Sequence, residues 1–118
     1  MTTRVLLLDD DDSNLLTLSA LLEMEGLDVV TASSIAAARV ILRGESAPFD
    51  VVLIDQHLKD GHGSQIIADA RAQSPQVKVL MLSGVAQEAS EHAPDAFVMK
   101  GADFNTLLAV VRRLVPST

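Results

Sequence analysis

At residues 51–61 the chain reads VVLIDQHLKDG, in which four apolar residues run straight into one carboxylate, Asp55. A continuous apolar run bounded by turn signals is typical of a strand buried on both faces, as in a parallel sheet. The polar residues that follow are punctuated by Gly61 and Gly63, which indicates a loop. In open parallel sheets, ligands bind outside the carboxyl ends of the strands. Asp55 is therefore placed for chemistry, although an Asp that only caps a turn would occupy the same position.

Strand and helix signals alternate along the rest of the chain. Short apolar runs predict further strands at residues 4–8, 27–31, 77–82 and 96–99. Helices are predicted after each strand, with caps or first residues at Asp12 or Ser13, at Ser33 or Ser34, at Ser64 and at Asp103. The segment 85–94 has room for only a short helix, so the fourth helix is predicted to be shortened or irregular.

This alternation predicts one α/β domain over residues 1–118. Strand–helix units of this length form a parallel five-stranded sheet with helices on both faces. Right-handed crossovers favour the doubly wound strand order 2-1-3-4-5, in which the second and fifth strands are the edges. No linker, repeat or low-complexity segment interrupts the chain.

The composition excludes several classes of function. The 118 residues contain no cysteine, which excludes thiol catalysis and thiolate metal sites. A net charge of −7 argues against nonspecific nucleic-acid binding, and the only aromatic residues are three Phe, too few for a base-stacking platform. No signal peptide or transmembrane segment is apparent in the sequence, so we expect a cytoplasmic protein without membrane contact.

The predicted strand ends carry side chains that suit phosphoryl transfer. The first strand ends at Asp9 and Asp10, the third at Asp55, the fourth at Ser83 and the fifth at Lys100. Three carboxylates on one rim would repel one another unless a cation joined them, and oxygen ligands with room for water suit Mg²⁺. A carboxylate is also a nucleophile toward phosphorus, and a Lys and a hydroxyl can hold the phosphoryl oxygens. The ordered set predicts a metal-dependent aspartyl-phosphate site.

In these residues the sequence resembles the receiver domains of two-component response regulators, which have a flavodoxin-like fold. The resemblance covers essentially the whole chain. Its motifs are the acidic strand end Leu7–Asp11, the loop formed by Asp55 with Leu58, Asp60, Gly61 and Gly63, the pair Ser83-Gly84, and Lys100.

The resemblance implies a role for each site residue. It makes Asp55 the phosphoacceptor and makes Asp10 and Asp55 ligands of Mg²⁺ (or Mn²⁺), with Asp9 supporting the metal directly or through water. His57 would contribute its backbone carbonyl to the metal, while Ser83 and Lys100 would contact the phosphate. The implied donor is a phosphohistidine on a sensor histidine kinase or a phosphotransfer protein, and the output is a changed interaction with a downstream protein. Such a domain is no enzyme in the ordinary sense, although it catalyses its own phosphorylation and dephosphorylation.

The sequence also departs from the family pattern. The family usually has proline where Lys59 stands, and proline in a cis bond where Gly101 follows Lys100. A cis bond before a residue other than proline costs about 2.5–4 kcal/mol, which favours a trans bond here. Phe97 takes the place of the switch aromatic, which is often Tyr. The segment between Ser83 and Lys100 is shorter than the family norm.

Other interpretations remain open. Asp11 and Asp12 are better explained as charges at a helix start than as ligands. The histidines have no cysteine or clustered histidine partner, so a zinc site is not expected.

Three other classes of function are alternatives to a phosphoacceptor domain. A magnesium-dependent phosphatase with an aspartyl-phosphate intermediate would usually have a carboxylate where His57 stands. A pseudo-receiver would keep the fold as a phosphorylation-independent interaction module. Flavin binding on a flavodoxin-like sheet is the least favoured, because no aromatic residue is placed to stack on the ring.

Overall fold

The computed structural model describes residues 2–44, 48–55, 57–83, 94–99 and 101–115, and they form eleven elements. In chain order these are β1 (Arg4–Leu8), α1 (Asp12–Met24), β2 (Asp28–Ala32), α2 (Ile35–Arg43), β3 (Val51–Asp55), β4 (His57–Leu58), β5 (Gly61–His62), α3 (Ser64–Gln73), β6 (Lys78–Ser83), β7 (Ala96–Met99) and α4 (Phe104–Leu114).

Five of the strands form a parallel sheet in the order β2-β1-β3-β6-β7. This is the predicted doubly wound order, with β2 and β7 at the edges, and the fold prediction is confirmed. β2 and β6 begin and end one residue later than predicted. The stretch after Asp55 that was predicted to be a loop contains a small antiparallel hairpin, β4–β5, in which His57 pairs with His62. Of the predicted fourth-helix segment 85–94, all but Pro94 lies outside the described residues.

The core has two halves, one on each face of the sheet, and β3 contributes to both. Val52 and Ile54 belong to the cluster under α2 and α3, whereas Val51 and Leu53 belong to the cluster under α1 and α4. All four side chains are fully buried. Each apolar residue removed from water stabilises the fold by about 1.5–3 kcal/mol, so neither face of β3 tolerates a polar residue. The first polar side chain of the strand is that of Asp55, where β3 ends.

Side-chain caps fix the starts of three helices. Asp11, and not the predicted Asp12 or Ser13, caps α1 by accepting hydrogen bonds from the backbone N–H groups of Ser13 and Asn14. The carboxylate of Asp11 is the one that extends over the exposed N–H groups, because the helix already begins at Asp12. Of the two residues predicted to cap α2, Ser33 or Ser34, the cap is Ser34, and the predicted cap of α4, Asp103, is confirmed. No helix among the described residues is long and apolar enough to cross a membrane.

Replacing Gly63 with Ala should destabilise the protein. A Cβ atom at this position would clash with the Ile54 side chain and lie 2.5 Å from the carbonyl oxygen of Asp55, so the backbone has to shift. We expect a loss of about 1–3 kcal/mol in the free energy of unfolding, measured by urea denaturation followed by circular dichroism. Gly44→Ala is the control, because its Cβ would meet only ordinary contacts at 3.4 and 3.6 Å. Equal effects of the two substitutions would contradict the close packing at Gly63.

Asp103 should make the stability of α4 depend on pH. The hydrogen bond from the Thr106 N–H to the carboxylate holds the pKa of Asp103 below its ordinary value of 3.8. A lowered folded-state pKa means that the ionised carboxylate stabilises the fold above pH 3.8 and that this contribution is lost as the pH falls through the lowered pKa. We therefore expect Asp103→Asn to lower the melting temperature at pH 7, with a difference from wild type that shrinks below pH 4. A difference that grows on acidification would contradict this account.

Candidate functional site

Strand register brings the carboxylates of β1 and β3 together. Leu8 of β1 pairs with Ile54 of β3, so the residues that follow, Asp9 and Asp55, leave adjacent central strands side by side. The backbone N–H of Asp9 extends the ladder by donating to the carbonyl of Ala32 on β2 at 3.1 Å. Asp9 is consequently held by the sheet even though it follows the last residue of β1.

Asp9, Asp10 and Asp55 form a compact acidic cluster. One carboxylate oxygen from each residue lies within 4.8 Å of the other two. Asp9 and Asp55 are only 7% and 3% exposed, whereas Asp10 is partly exposed at the rim. Buried carboxylates at this separation repel one another strongly because the surrounding protein screens them less than water does. A cation bound between the three carboxylates would relieve this repulsion.

The start of α1 orients Asp9. The backbone N–H of Asp11 donates to Oδ1 of Asp9 at 3.0 Å, and the side chain of Asp11 is itself engaged in capping the helix. Asp12 is exposed in the first turn of α1. This division agrees with the interpretation of Asp11 and Asp12 as charges at a helix start, and it leaves Asp9, Asp10 and Asp55 to face one another.

The donor set fits Mg²⁺. All three groups offer hard oxygen ligands, and Mg²⁺ binds through a few carboxylates while it keeps several waters. The partly exposed position of Asp10 leaves the outer side of the cluster open for such waters. Among the described residues no histidine belongs to the cluster, so the nitrogen-rich set of a zinc site is not assembled there.

The hairpin after β3 folds back over Asp55. Gly61 has a φ angle of +147°, a backbone conformation that residues other than glycine rarely adopt. Two residues later, the closeness of Gly63 to the carbonyl of Asp55 shows that the loop returns to the strand end it left. Residues 61–63 are therefore closely packed against the end of β3 and the start of α2.

A contact that the sequence did not predict joins this loop to α2. The two carboxylate oxygens of Asp60 accept hydrogen bonds from the backbone N–H groups of Ile35, at 3.1 Å, and Ala36, at 3.3 Å. These hydrogen bonds, with the bond from Ile35 the stronger influence, lower the pKa of Asp60 below its ordinary value of 3.8. The sequence indicated only a loop here, because a cap supplied from 25 residues away leaves no local pattern.

The remaining predicted site residues are described in part. The backbone of Ser83, the last residue of β6, lies one position beyond Leu82, which pairs with Asp55. Ser83 also pairs with Met99 of β7, the residue before Lys100. Lys100, and with it the Lys100-Gly101 bond, lies outside the described residues. Phe97 is 45% exposed on the edge strand β7. His57 occupies the first position of β4.

The fold and the acidic cluster match a known family. The sequence pattern of the response regulator receiver domain matches residues 5–112, which is nearly the whole chain. The chain therefore belongs to the receiver domain family of response regulators, and the resemblance identified in the sequence is confirmed. Receiver domains are signalling domains, and this membership assigns the chain to two-component signalling as a phosphoacceptor domain.

Curated relatives and solved structures agree with this assignment. The chain is 35% identical over 101 residues to the alginate biosynthesis transcriptional regulatory protein AlgB of Pseudomonas putida, covering 86% of this chain and 22% of that protein. It is 27% identical to the photosynthetic apparatus regulatory protein RegA of Rhodobacter capsulatus, covering 87% of this chain and 58% of RegA. The chain thus spans about a fifth of the one relative and less than two thirds of the other. A response regulator receiver protein from Sinorhizobium medicae superposes with a TM-score of 0.85 at 29% identity, covering 96% of this chain and 94% of that structure.

Neutralising Asp10 should stabilise the metal-free protein and reduce the further stabilisation that Mg²⁺ provides. Asp10→Asn takes one negative charge out of the cluster, so we expect the free energy of unfolding in EDTA to rise by roughly 1 kcal/mol, less than the unscreened repulsion at this distance. Millimolar Mg²⁺ should raise the melting temperature of the wild type by mass action and that of Asp10→Asn much less.

The matched control for this prediction is Asp12→Asn, which removes an exposed charge from the first turn of α1. This change should slightly lower stability, because an acidic group favours the start of a helix, and it should preserve the response to Mg²⁺. An Asp10→Asn protein that is stabilised by Mg²⁺ as strongly as the wild type would contradict the metal assignment.

Proposed function

We propose that this receiver domain accepts a phosphoryl group on Asp55 with the help of Mg²⁺ (or Mn²⁺) held by Asp9, Asp10 and Asp55. The observation that carries the proposal is the position of Asp55: it ends a fully buried central strand and lies with two other carboxylates within 4.8 Å. A bound divalent cation would neutralise negative charge that develops on the phosphoryl oxygens. A relative at 26% identity and a TM-score of 0.80, a response regulator from Burkholderia pseudomallei, was solved with a phosphorylated aspartic acid and a calcium ion, which supports the proposal.

The carboxylate of Asp55 acts as a nucleophile. One of its oxygens attacks the phosphorus of a phosphohistidine, the P–N bond breaks, and the imidazole leaves with the electron pair and takes up a proton. The product is a mixed anhydride between the Asp55 carboxyl group and phosphate. Attack of water on the same phosphorus breaks the new P–O bond and returns the Asp55 carboxylate and inorganic phosphate. The first step consumes the Asp55 carboxylate and the second restores it. The domain thus catalyses its own phosphorylation and dephosphorylation without being a conventional enzyme.

Ser83, Lys100 and His57 complete the proposed site. The backbone carbonyl of His57 would add an oxygen ligand to the three carboxylates. The hydroxyl of Ser83 and the ammonium of Lys100 would donate to the phosphoryl oxygens that appear after transfer. The register supports this role for Ser83, since it follows the residue that pairs with Asp55. Phe97, exposed on β7, is the proposed switch residue whose environment changes with the phosphate.

The proposed donor is a sensor histidine kinase or a histidine phosphotransfer protein, and the proposed output is binding to a downstream protein. The added phosphate charge would bias an order or packing change that the partner detects. A net charge of −7 supports protein contacts over direct contact with nucleic acid by this domain.

Intact mass spectrometry after incubation with acetyl phosphate and Mg²⁺ tests the proposal. We expect one phosphoryl adduct in the wild type, its loss in EDTA, and at least a hundredfold slower formation in Asp55→Asn, because the amide is a far weaker nucleophile. Asp12→Asn, which changes a carboxylate outside the cluster, should form the adduct at the wild-type rate. No adduct with acetyl phosphate or with candidate kinases would favour the pseudo-receiver, in which the fold acts without phosphate.

A further inference from the structure

We propose that Asp60 is a positioning residue that ties the phosphoacceptor loop to α2, so that metal binding at Asp55 and the N-terminal turn of α2 are coupled. We define the phosphoacceptor loop as residues 57–63, between β3 and α3. This inference rests on the proposed function, and it assigns to α2 a link with the site that goes beyond that function.

Both oxygens of the Asp60 carboxylate accept hydrogen bonds from the start of α2, and we call this pair of hydrogen bonds the tie. Oδ1 accepts from the Ile35 N–H at 3.1 Å and Oδ2 accepts from the Ala36 N–H at 3.3 Å. These are the first two N–H groups of α2, which have no partner within the helix. The start of a helix also carries a partial positive charge, which favours the ionised carboxylate. The local cap of the same helix, Ser34, serves a different donor, the N–H of Ala37.

The phosphoacceptor loop has little room to move, because its glycines are closely packed. A Cβ on Gly61, the residue after Asp60, would clash with the Gln65 side chain and lie 3.0 Å from Cδ1 of Ile35. The loop therefore packs directly against the first residue of α2 in addition to the hydrogen bonds. At its other end, Gly63 lies close to the Asp55 carbonyl. A displacement of Asp60 would be transmitted over a few residues to the proposed phosphoacceptor.

A second contact holds α2 against the helix that follows the loop. Nε of Arg39 donates to Oδ2 of Asp69 on α3 at 2.8 Å. This pair is about one-third to two-fifths exposed, so its contribution to stability is small, and it adds to the apolar packing that α2 and α3 share. With its N-terminus bound by the loop and its middle bound to α3, α2 has two attachments to the segment that starts at Asp55.

The coupling between metal binding and the start of α2 has two observable consequences. The loop holds the proposed carbonyl ligand, His57, so loss of the tie should weaken Mg²⁺ binding even though Asp60 does not touch the metal. Conversely, Mg²⁺ binding should change the environment of the Ile35 and Ala36 amides, which lie on another helix. By linkage, hydrogen bonds that strengthen Mg²⁺ binding are themselves strengthened by Mg²⁺ to the same extent, because a coupling free energy acts equally in both directions.

Titration of the full chain with Mg²⁺, followed by ¹H–¹⁵N correlation spectra, tests the coupling in wild type, Asp60→Ala, Asp60→Asn and Ser34→Ala. We expect Asp60→Ala to weaken Mg²⁺ binding about tenfold, as for other residues that hold a ligand in place. Asp60→Asn keeps a carbonyl oxygen for the Ile35 N–H and should recover most of that affinity. Ser34→Ala weakens the same helix end without touching the loop and should bind Mg²⁺ as the wild type does. The Ile35 and Ala36 amide resonances should shift during the titration in the wild type and not in Asp60→Ala.

The variants separate the possible failures. Wild-type affinity in Asp60→Ala would overturn the coupling while leaving the proposed function intact. Equal weakening in the Asn and Ala variants would assign the effect to charge alone and would overturn the positioning role. Equal weakening in Ser34→Ala and Asp60→Ala would reduce the effect to the stability of α2, which also overturns it. A wild type whose Asp9, Asp10 and Asp55 amides do not respond to Mg²⁺ would contradict the proposed function, and the inference would fall with it.

Discussion

The burial of β3 on both faces is the constraint on which the rest of the molecule depends. Its side chains at positions 51–54 alternate between the two halves of the core, so the strand cannot slide by one residue without exchanging them. Fixing that register also fixes where the strand ends. Asp55 is therefore held at the rim of the sheet by apolar packing that extends the full length of the strand, and not by contacts of its own side chain alone.

The same packing explains how the protein keeps an electrostatically unfavourable cluster. Two nearly buried carboxylates and a third at the rim repel one another, and a folded protein with a margin of about 5–15 kcal/mol accepts such a cost only if other contacts outweigh it. The ladder between β1 and β3 supplies those contacts, because Leu8 and Ile54 are paired and fully buried immediately before Asp9 and Asp55. Folding thus brings the three carboxylates together in the arrangement on which the proposed cation binding depends.

The sequence was sufficient for what depends on local pattern and on the order of elements. The apolar runs located the five strands to within a residue, and the acidic pair and Asp55 followed from the rule that parallel strands end on one rim. The caps Ser34 and Asp103 could be predicted because each lies next to its helix.

The cap of α1 was misplaced by one residue, since four consecutive Asp residues at 9–12 offer equivalent carboxylates and only the backbone geometry selects Asp11. The tie from Asp60 to α2 was out of reach, because its partners are 24 and 25 residues away.

That tie offers a physical account of one departure from the family pattern. Family members usually have proline where Lys59 stands, and a proline restricts the loop from within by fixing one φ angle. Here Lys59 leaves that angle free, and the next residue, Asp60, is held from outside by two N–H groups of α2. A loop restrained from within keeps its shape whatever its neighbours do, whereas a loop restrained by α2 follows the helix. On the coupling proposed above, a displacement of α2 would alter the geometry beside Asp55, because the loop that follows this residue is held by the helix.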